Sequence, residues 1–80
     1  MTEMEVKQQL KDFFVNNLGV DPSDLEYDTI LFGEGIGLDS IDSIELISFI
    51  DDTFGVSTSG IDKANFKNID SLAAYIVAHM

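Results

Sequence analysis

Val6, Leu10, Phe13, Phe14 and Leu18 recur at intervals of three and four, the period of a helix with one apolar stripe. The spacing predicts a first helix over Thr2–Leu18. Thr2 with Glu5 three residues later forms a capping box. Gly19 follows where a left-handed residue ends a helix. Lys7, Lys11 and Asp12 fall off the centre of the stripe. A second period, Leu46, Ile47, Ile50 and Phe54, predicts a helix from Ser40 to Phe54 that stops before Gly55. Its other face carries Asp42, Glu45 and Asp52, flanked by Ile41, Ile44 and Ser48. A face meant for water alone has no need of two isoleucines. A last helix starts near Asp70 as N-cap, turns Leu72, Ala73, Ile76 and Val77 inward and leaves Tyr75 at the rim. The polar stretch from Ser57 to Phe66 has room for a short helix around Ile61–Asn65.

Gly19 to Asp39 is a long connection. Asp21-Pro22-Ser23-Asp24 suits a short helical turn, capped by Asp21 with Pro22 at its first position. Structureless loops of about 20 residues are uncommon in compact domains. Val20, Leu25, Ile30, Leu31, Phe32 and Ile36 are therefore expected to pin this one across the bundle. Gly33, Gly35 and Gly37 give a flexible approach to Asp39-Ser40. No alternating strand pattern and no internal repeat interrupts the helical reading. The expected fold is an all-α, four-helix bundle: three main helices plus one short helix and a long first loop, in a single domain spanning residues 1–80.

Charge narrows the partners. The chain has four lysines, no arginine and fifteen acids, a formal charge of −11 with His79 neutral. So few cations cannot neutralise a run of phosphates, which excludes nucleic acid, and an anionic membrane surface repels the chain. The expected macromolecular partner is a protein with a basic docking surface, met by electrostatic steering. Cysteine is absent, which excludes disulfides and thiolate metal sites. No D-x-[DN]-x-[DN]-G loop supports calcium binding. No Ser–His–acid arrangement supports an enzyme, and the lone His79 reads as surface. The opening MTEMEVKQQL lacks the basic and apolar regions of a signal peptide, so the expected address is the cytoplasm. Charge favours a monomer.

The stretch Gly37-Leu38-Asp39-Ser40-Ile41-Asp42-Ser43-Ile44-Glu45-Leu46 carries the chemistry. Its serine sits at the first turn of a helix, where backbone N–H groups are unpaired and the dipole is positive. A phosphate ester attached there is electrostatically well placed. Nearby Asp39 and Asp42 repel a free anion, which argues for a covalent phosphate rather than a nucleotide site. Ser40 or Asp39 acting merely as N-cap accounts for the same residues. Ser43, one turn on, faces the core side and lacks a preceding Asp.

This run resembles the phosphopantetheine attachment motif of acyl carrier proteins, G-x-D-S-L followed by an acid. The resemblance extends through Gly19-Val20-Asp21-Pro22, Asp28-Thr29, Leu31-Phe32, Phe54-Gly55, Ile69-Asp70-Ser71-Leu72 and Tyr75-Ile76. It implies a carrier and not a catalyst. Ser40 would be esterified by a phosphopantetheinyl transferase using coenzyme A, giving a 4'-phosphopantetheine arm whose thiol bears acyl groups as thioesters. Fatty acid, lipid or polyketide-type biosynthesis is the implied setting. Asp39, Ile41, Asp42, Ile44, Glu45 and Asp52 match positions that partner enzymes read. The implied acyl pocket is lined by Phe32, Leu46, Ile47, Ile50, Phe54, Phe66 and Ile76, residues that an ordinary packed core would also use.

The match is not complete. Gly35-Ile36-Gly37 stand where Asp-Leu-Gly is usual. Ser48 replaces an apolar residue on the docking face, and Phe49 stands where a small residue is common. Leu38 and Ile41 are milder changes. These departures point to a specialised carrier rather than the housekeeping one of fatty acid synthesis. The neighbouring alternatives are a D-alanyl, aminoacyl or peptidyl carrier of the same fold. From another class, an unmodified acidic adaptor also fits the charge.

Overall fold

The computed structural model describes residues 2–32, 37–38, 40–58 and 63–80, with the backbone alone at 40, 63 and 64. Three α-helices form the frame: α1 (Glu3–Asn16), α2 (Ser40–Phe54) and α3 (Ile69–His79). Two 3-10 turns, Pro22–Asp24 and Lys63–Phe66, lie between them. Among the described residues there is no strand, only an isolated bridge between Phe32 and Leu38. The all-α expectation holds.

The start of α1 is the capping box that Thr2 and Glu5 predict. Glu5 N–H donates to Thr2 Oγ1 at 3.2 Å, and Thr2 N–H donates to Glu5 Oε1 at 3.2 Å. The backbone hydrogen bond from Thr2 is the main cause that holds the Glu5 carboxyl below its ordinary pKa. The helix ends two residues before the predicted Leu18. Asn17 caps it by donating to the Phe13 carbonyl at 2.8 Å, and Gly19 takes φ +71°. That turn returns the Val20 N–H to the Phe14 carbonyl at 3.1 Å, which satisfies an orphan carbonyl of the last turn.

The expected turn after Gly19 is present. Asp21 caps Pro22–Asp24, its Oδ1 accepting from Ser23 N–H at 2.9 Å and Ser23 Oγ at 2.7 Å. The loop is pinned by Val20, Leu25 and Leu31, all buried. Phe32 is half-buried, Ile30 points outward at 43% exposure, and Ile36 lies outside the described residues. Tyr27 adds a clamp that periodicity does not reveal. Its ring lies 5.7 Å from Lys7 Nζ and 5.9 Å from Lys11 Nζ, and its hydroxyl donates to Gln8 Oε1 at 3.3 Å.

One apolar core joins the elements. Val6, Leu10, Phe13 and Phe14 of α1 meet Leu46 and Ile50 of α2, Val56, and Ile69, Leu72, Ala73 and Ile76 of α3. Phe13 stacks on Phe49 at 4.3 Å between ring centres, which ties α1 to α2. α1 also packs along α3, where Lys7 Nζ meets Asp70 Oδ1 at 2.9 Å. That hydrogen bond is the first cause raising the Lys7 pKa.

α3 differs from its sequence reading in two respects. Its N-cap is Asn68, whose Oδ1 accepts from Ser71 N–H at 2.8 Å. Asp70 lies inside the first turn instead. Ile69 is fully buried and begins the helix, so the cap falls on Asn68, two residues before Asp70, a side chain equally able to serve. Val77 is 37% exposed rather than inward, because one step beyond Ile76 turns it off the buried stripe. The predicted short helix appears as the Lys63–Phe66 turn; Ile61 lies outside the described residues.

The Asp21 turn makes stability depend on pH. Hydrogen bonds from Ser23, the backbone one first, hold the Asp21 carboxyl below its ordinary pKa. Its contribution is therefore present above the unfolded carboxyl pKa and is lost as pH falls through the lower folded value. Thermal melts of wild type and Asp21→Ala should differ most near pH 7. The gap should close as pH drops below about 3.

Candidate functional site

The approach to α2 is set by the long loop. Leu31 N–H donates to the Lys67 carbonyl at 2.9 Å, and Leu38 N–H donates to the Leu31 carbonyl at 3.1 Å. Between them Gly37 adopts φ +83°. A Cβ there would meet no atom of the described residues within 4 Å, so among them the demand for glycine is conformational. Two residues after Leu38, the Ser40 backbone begins α2. Its first-turn N–H groups have no carbonyl one turn earlier within the helix, and the dipole there is positive. Ser40 thus stands at the helix entrance, as expected. Asp39 lies outside the described residues.

The two faces of α2 separate cleanly. Leu46 and Ile50 are fully buried, while Ile41 and Ile44 are 67% and 64% exposed. Glu45, Ser48 and Asp52 are exposed beside them, and Asp42 is half-buried at the flank. Ile41, Ile44, Glu45, Ser48 and Asp52 follow one another at steps of three, one and four, which puts them on one stripe. Asp51, exposed next to Asp52, joins the edge of this face. The same spacing argument would have found it. The helix contains no basic residue; all four lysines lie elsewhere. Ser43 is half-buried on the inward side.

The seven expected pocket residues fall into two groups. Leu46, Ile50 and Ile76 are fully buried in the core. Phe32, Ile47, Phe54 and Phe66 are half-buried, with Phe32 and Phe66 edge to face at 6.4 Å. A groove between the end of α1 and the loop is lined by Leu18, Gly19, Val20, Asp21, Asp24, Thr29 and Leu38 and shares no residue with that set. Thr58, passed over in a polar stretch, is buried with the core. Among the described residues no three His, Cys, Asp or Glu side chains gather as a metal site. No described helix is long and apolar enough to cross a membrane.

Residues 8–76 match the family described as the phosphopantetheine attachment site. The chain is 35% identical over 69 residues to an acyl carrier protein of Aster yellows witches'-broom phytoplasma, covering 86% of this chain and 90% of that protein. It is 35% identical over 71 residues to that of Phytoplasma australiense, covering 89% and 92%. With the acyl carrier protein of Chloroherpeton thalassium it shares 34% identity over 77 residues, covering 96% and 95%.

The two faces of α2 should respond differently to truncation. In urea denaturation, Leu46→Ala should cost about 2–5 kcal/mol through lost burial and the cavity left behind. Ile44→Ala, on the exposed stripe, should stay within about 0.5 kcal/mol of wild type.

Proposed function

The chain belongs to the acyl carrier proteins that bear a phosphopantetheine attachment domain, and from that premise we propose that Ser40 is the attachment residue. The position of Ser40 carries this reading. It opens α2 directly after Gly37-Leu38-Asp39, inside the matched span. Among the described residues nothing crowds the left-handed Gly37 beside that entrance, which suits the approach of a transferase.

The residues present fit a 4'-phosphopantetheine arm. In attachment, Ser40 Oγ bonds to the phosphorus of the pantetheine half of coenzyme A. The pyrophosphate bond breaks, adenosine 3',5'-bisphosphate leaves, and the hydroxyl proton passes to the transferase. The helix N-terminus favours the resulting phosphodiester anion by about 0.3–1 kcal/mol. Once attached, the arm supplies a terminal thiol that bears acyl groups as thioesters. With no cysteine in the chain, no internal thiol competes for the cargo.

The exposed stripe of α2 is the surface that partners read. Asp39, Asp42, Glu45 and Asp52 orient a basic enzyme surface during encounter, and Ile41 and Ile44 add a small apolar contact. Asp51 and Asp52 sit in the last turn of α2, where negative charge opposes the helix dipole. A basic partner relieves that opposition. Ser48 puts a hydroxyl on the same stripe, which supports a specialised rather than a housekeeping carrier. The partners are a phosphopantetheinyl transferase and acyl-handling enzymes with basic docking surfaces. We place this single-domain, monomeric carrier in the cytoplasm with them.

Incubation with coenzyme A and a broad-range phosphopantetheinyl transferase should add one arm and one titratable thiol. Intact mass and thiol titration read both. Ser40→Ala should show neither, and Ser43→Ala should be modified like wild type. In the same assay Glu45→Lys should slow modification at low salt without loss of helical content. The difference should shrink as salt rises; rates indifferent to salt in both proteins would remove the steering argument.

A further inference from the structure

The groove between the end of α1 and the first loop has a volume of about 750 Å³, within the roughly 300–1,000 Å³ of small-molecule sites. Two kinds of surface meet in it. Leu18, Val20 and Leu38 are apolar, while Asp21, Asp24 and Thr29 bring oxygen atoms. No lysine is among its described lining residues. Asp21 is held as a carboxylate by the Ser23 N–H and hydroxyl, both on Oδ1. A carboxylate accepts about four hydrogen bonds, which leaves capacity for a ligand. Thr29 Oγ1 accepts from the Glu26 N–H at 2.8 Å and keeps its own proton to donate. One wall lies close to the attachment residue along the chain. Leu38 precedes Ser40 by two residues, so their Cα atoms are at most about 7.6 Å apart. The Leu38 N–H is fastened to the Leu31 carbonyl at 3.1 Å. A group tethered at Ser40 therefore meets this groove at an effective concentration on the order of millimolar, and modest complementarity is enough to fill it.

We propose that this groove is the resting seat of the 4'-phosphopantetheine arm between partners, with the paired methyls of the arm on Leu18, Val20 and Leu38 and its amide N–H groups donating to Asp21 and Asp24. This rests on the Ser40 attachment reading. The arm matches the lining part by part. Its paired methyls lose water against the apolar wall. Its two amides each present one N–H and one carbonyl, and Thr29 donates to a carbonyl. Asp21 and Asp24 repel the phosphodiester, which stays at the entrance of α2 where the helix dipole favours it. The neutral, donor-bearing part of the arm is thus sorted from its anionic end. The groove shares no residue with Leu46, Ile50 and Ile76, so an arm seated there is held outside the apolar core. A basic side chain of a partner is the other occupant that two carboxylates attract. The tether and the apolar wall favour the arm.

The test is NMR of the arm-bearing protein, made with coenzyme A isotope-labelled in the pantetheine methyls and amides. The proteins are wild type, Asp24→Ala, Asp24→Ala with Leu38→Ala, and Asp28→Ala. Asp28 is an exposed acid of the same loop that does not line the groove, so its removal controls for charge alone. Circular dichroism confirms the helices of each variant, and intact mass confirms one arm. In wild type the arm methyls should give NOEs to Leu18, Val20 and Leu38. Exchange of the arm amides with water should be about fivefold slower in wild type than in the double variant. Asp24→Ala should fall between them, and Asp28→Ala should match wild type. Arm methyls without NOEs to the three groove residues overturn the proposal, and NOEs to Ile50 and Ile76 in their place do so as well. Equal exchange in wild type and the double variant also overturns it, as does exchange in Asp28→Ala as fast as in Asp24→Ala. If intact mass shows no arm, or Ser40→Ala still accepts one, the attachment reading fails and takes this proposal with it. One arm on Ser40 with no contact in the groove defeats the seat alone.

Discussion

The capture of the long first loop by the start of α3 is the constraint on which the remaining geometry depends. The Asp70 N–H, a donor that the first turn of α3 cannot satisfy internally, is taken by the Tyr27 carbonyl at 3.0 Å. The Leu31 N–H is taken in turn by the Lys67 carbonyl at 2.9 Å. Ordering so long a connection costs conformational entropy at every residue, and buried Val20, Leu25 and Leu31 offset it. Because Leu38 hangs from Leu31 by a backbone bond, the entrance of α2 inherits its position from α3 rather than from its own helix.

That helix serves two purposes that pull against each other. Its inner face supplies Leu46 and Ile50 to a core with little to spare in a chain of 80 residues. Its outer face leaves two isoleucines in water and sets carboxylates at the helix end where they are least welcome. A sequence chosen for stability alone would have lysines there and polar residues at 41 and 44. The proposed docking role accounts for both departures, and well-satisfied caps elsewhere offset their cost.

Charge is segregated as well as unbalanced. Lys7 and Lys11 are gathered over Tyr27, and Lys7 is further held by Asp70 and Glu3. Those two lysines are thus engaged outside α2. A body with net charge −11 repels itself, which a larger core would tolerate more easily, but the same field orients an approaching basic surface. In the proposed docking, the isoleucines act at contact range after the carboxylates have set the approach.

The helices, the caps of α1 and of the Asp21 turn, and the two faces of α2 were legible in the sequence because each is decided within a turn or two. Thr2 with Glu5, Asp21 with Ser23, and Gly19 at positive φ all act through neighbours. The attachment motif is likewise a contiguous run. Other features required the chain to meet itself. Tyr27 over α1, Phe49 stacked on Phe13 and the burial of Thr58 each join residues or segments distant in sequence. The shift of the α3 cap from Asp70 to Asn68 has the same origin, since the burial of Ile69 and the pull of Lys7 on Asp70 decide it. Periodicity says which side of a helix is apolar. What lies against that side depends on contacts made only once the loop has closed onto α3.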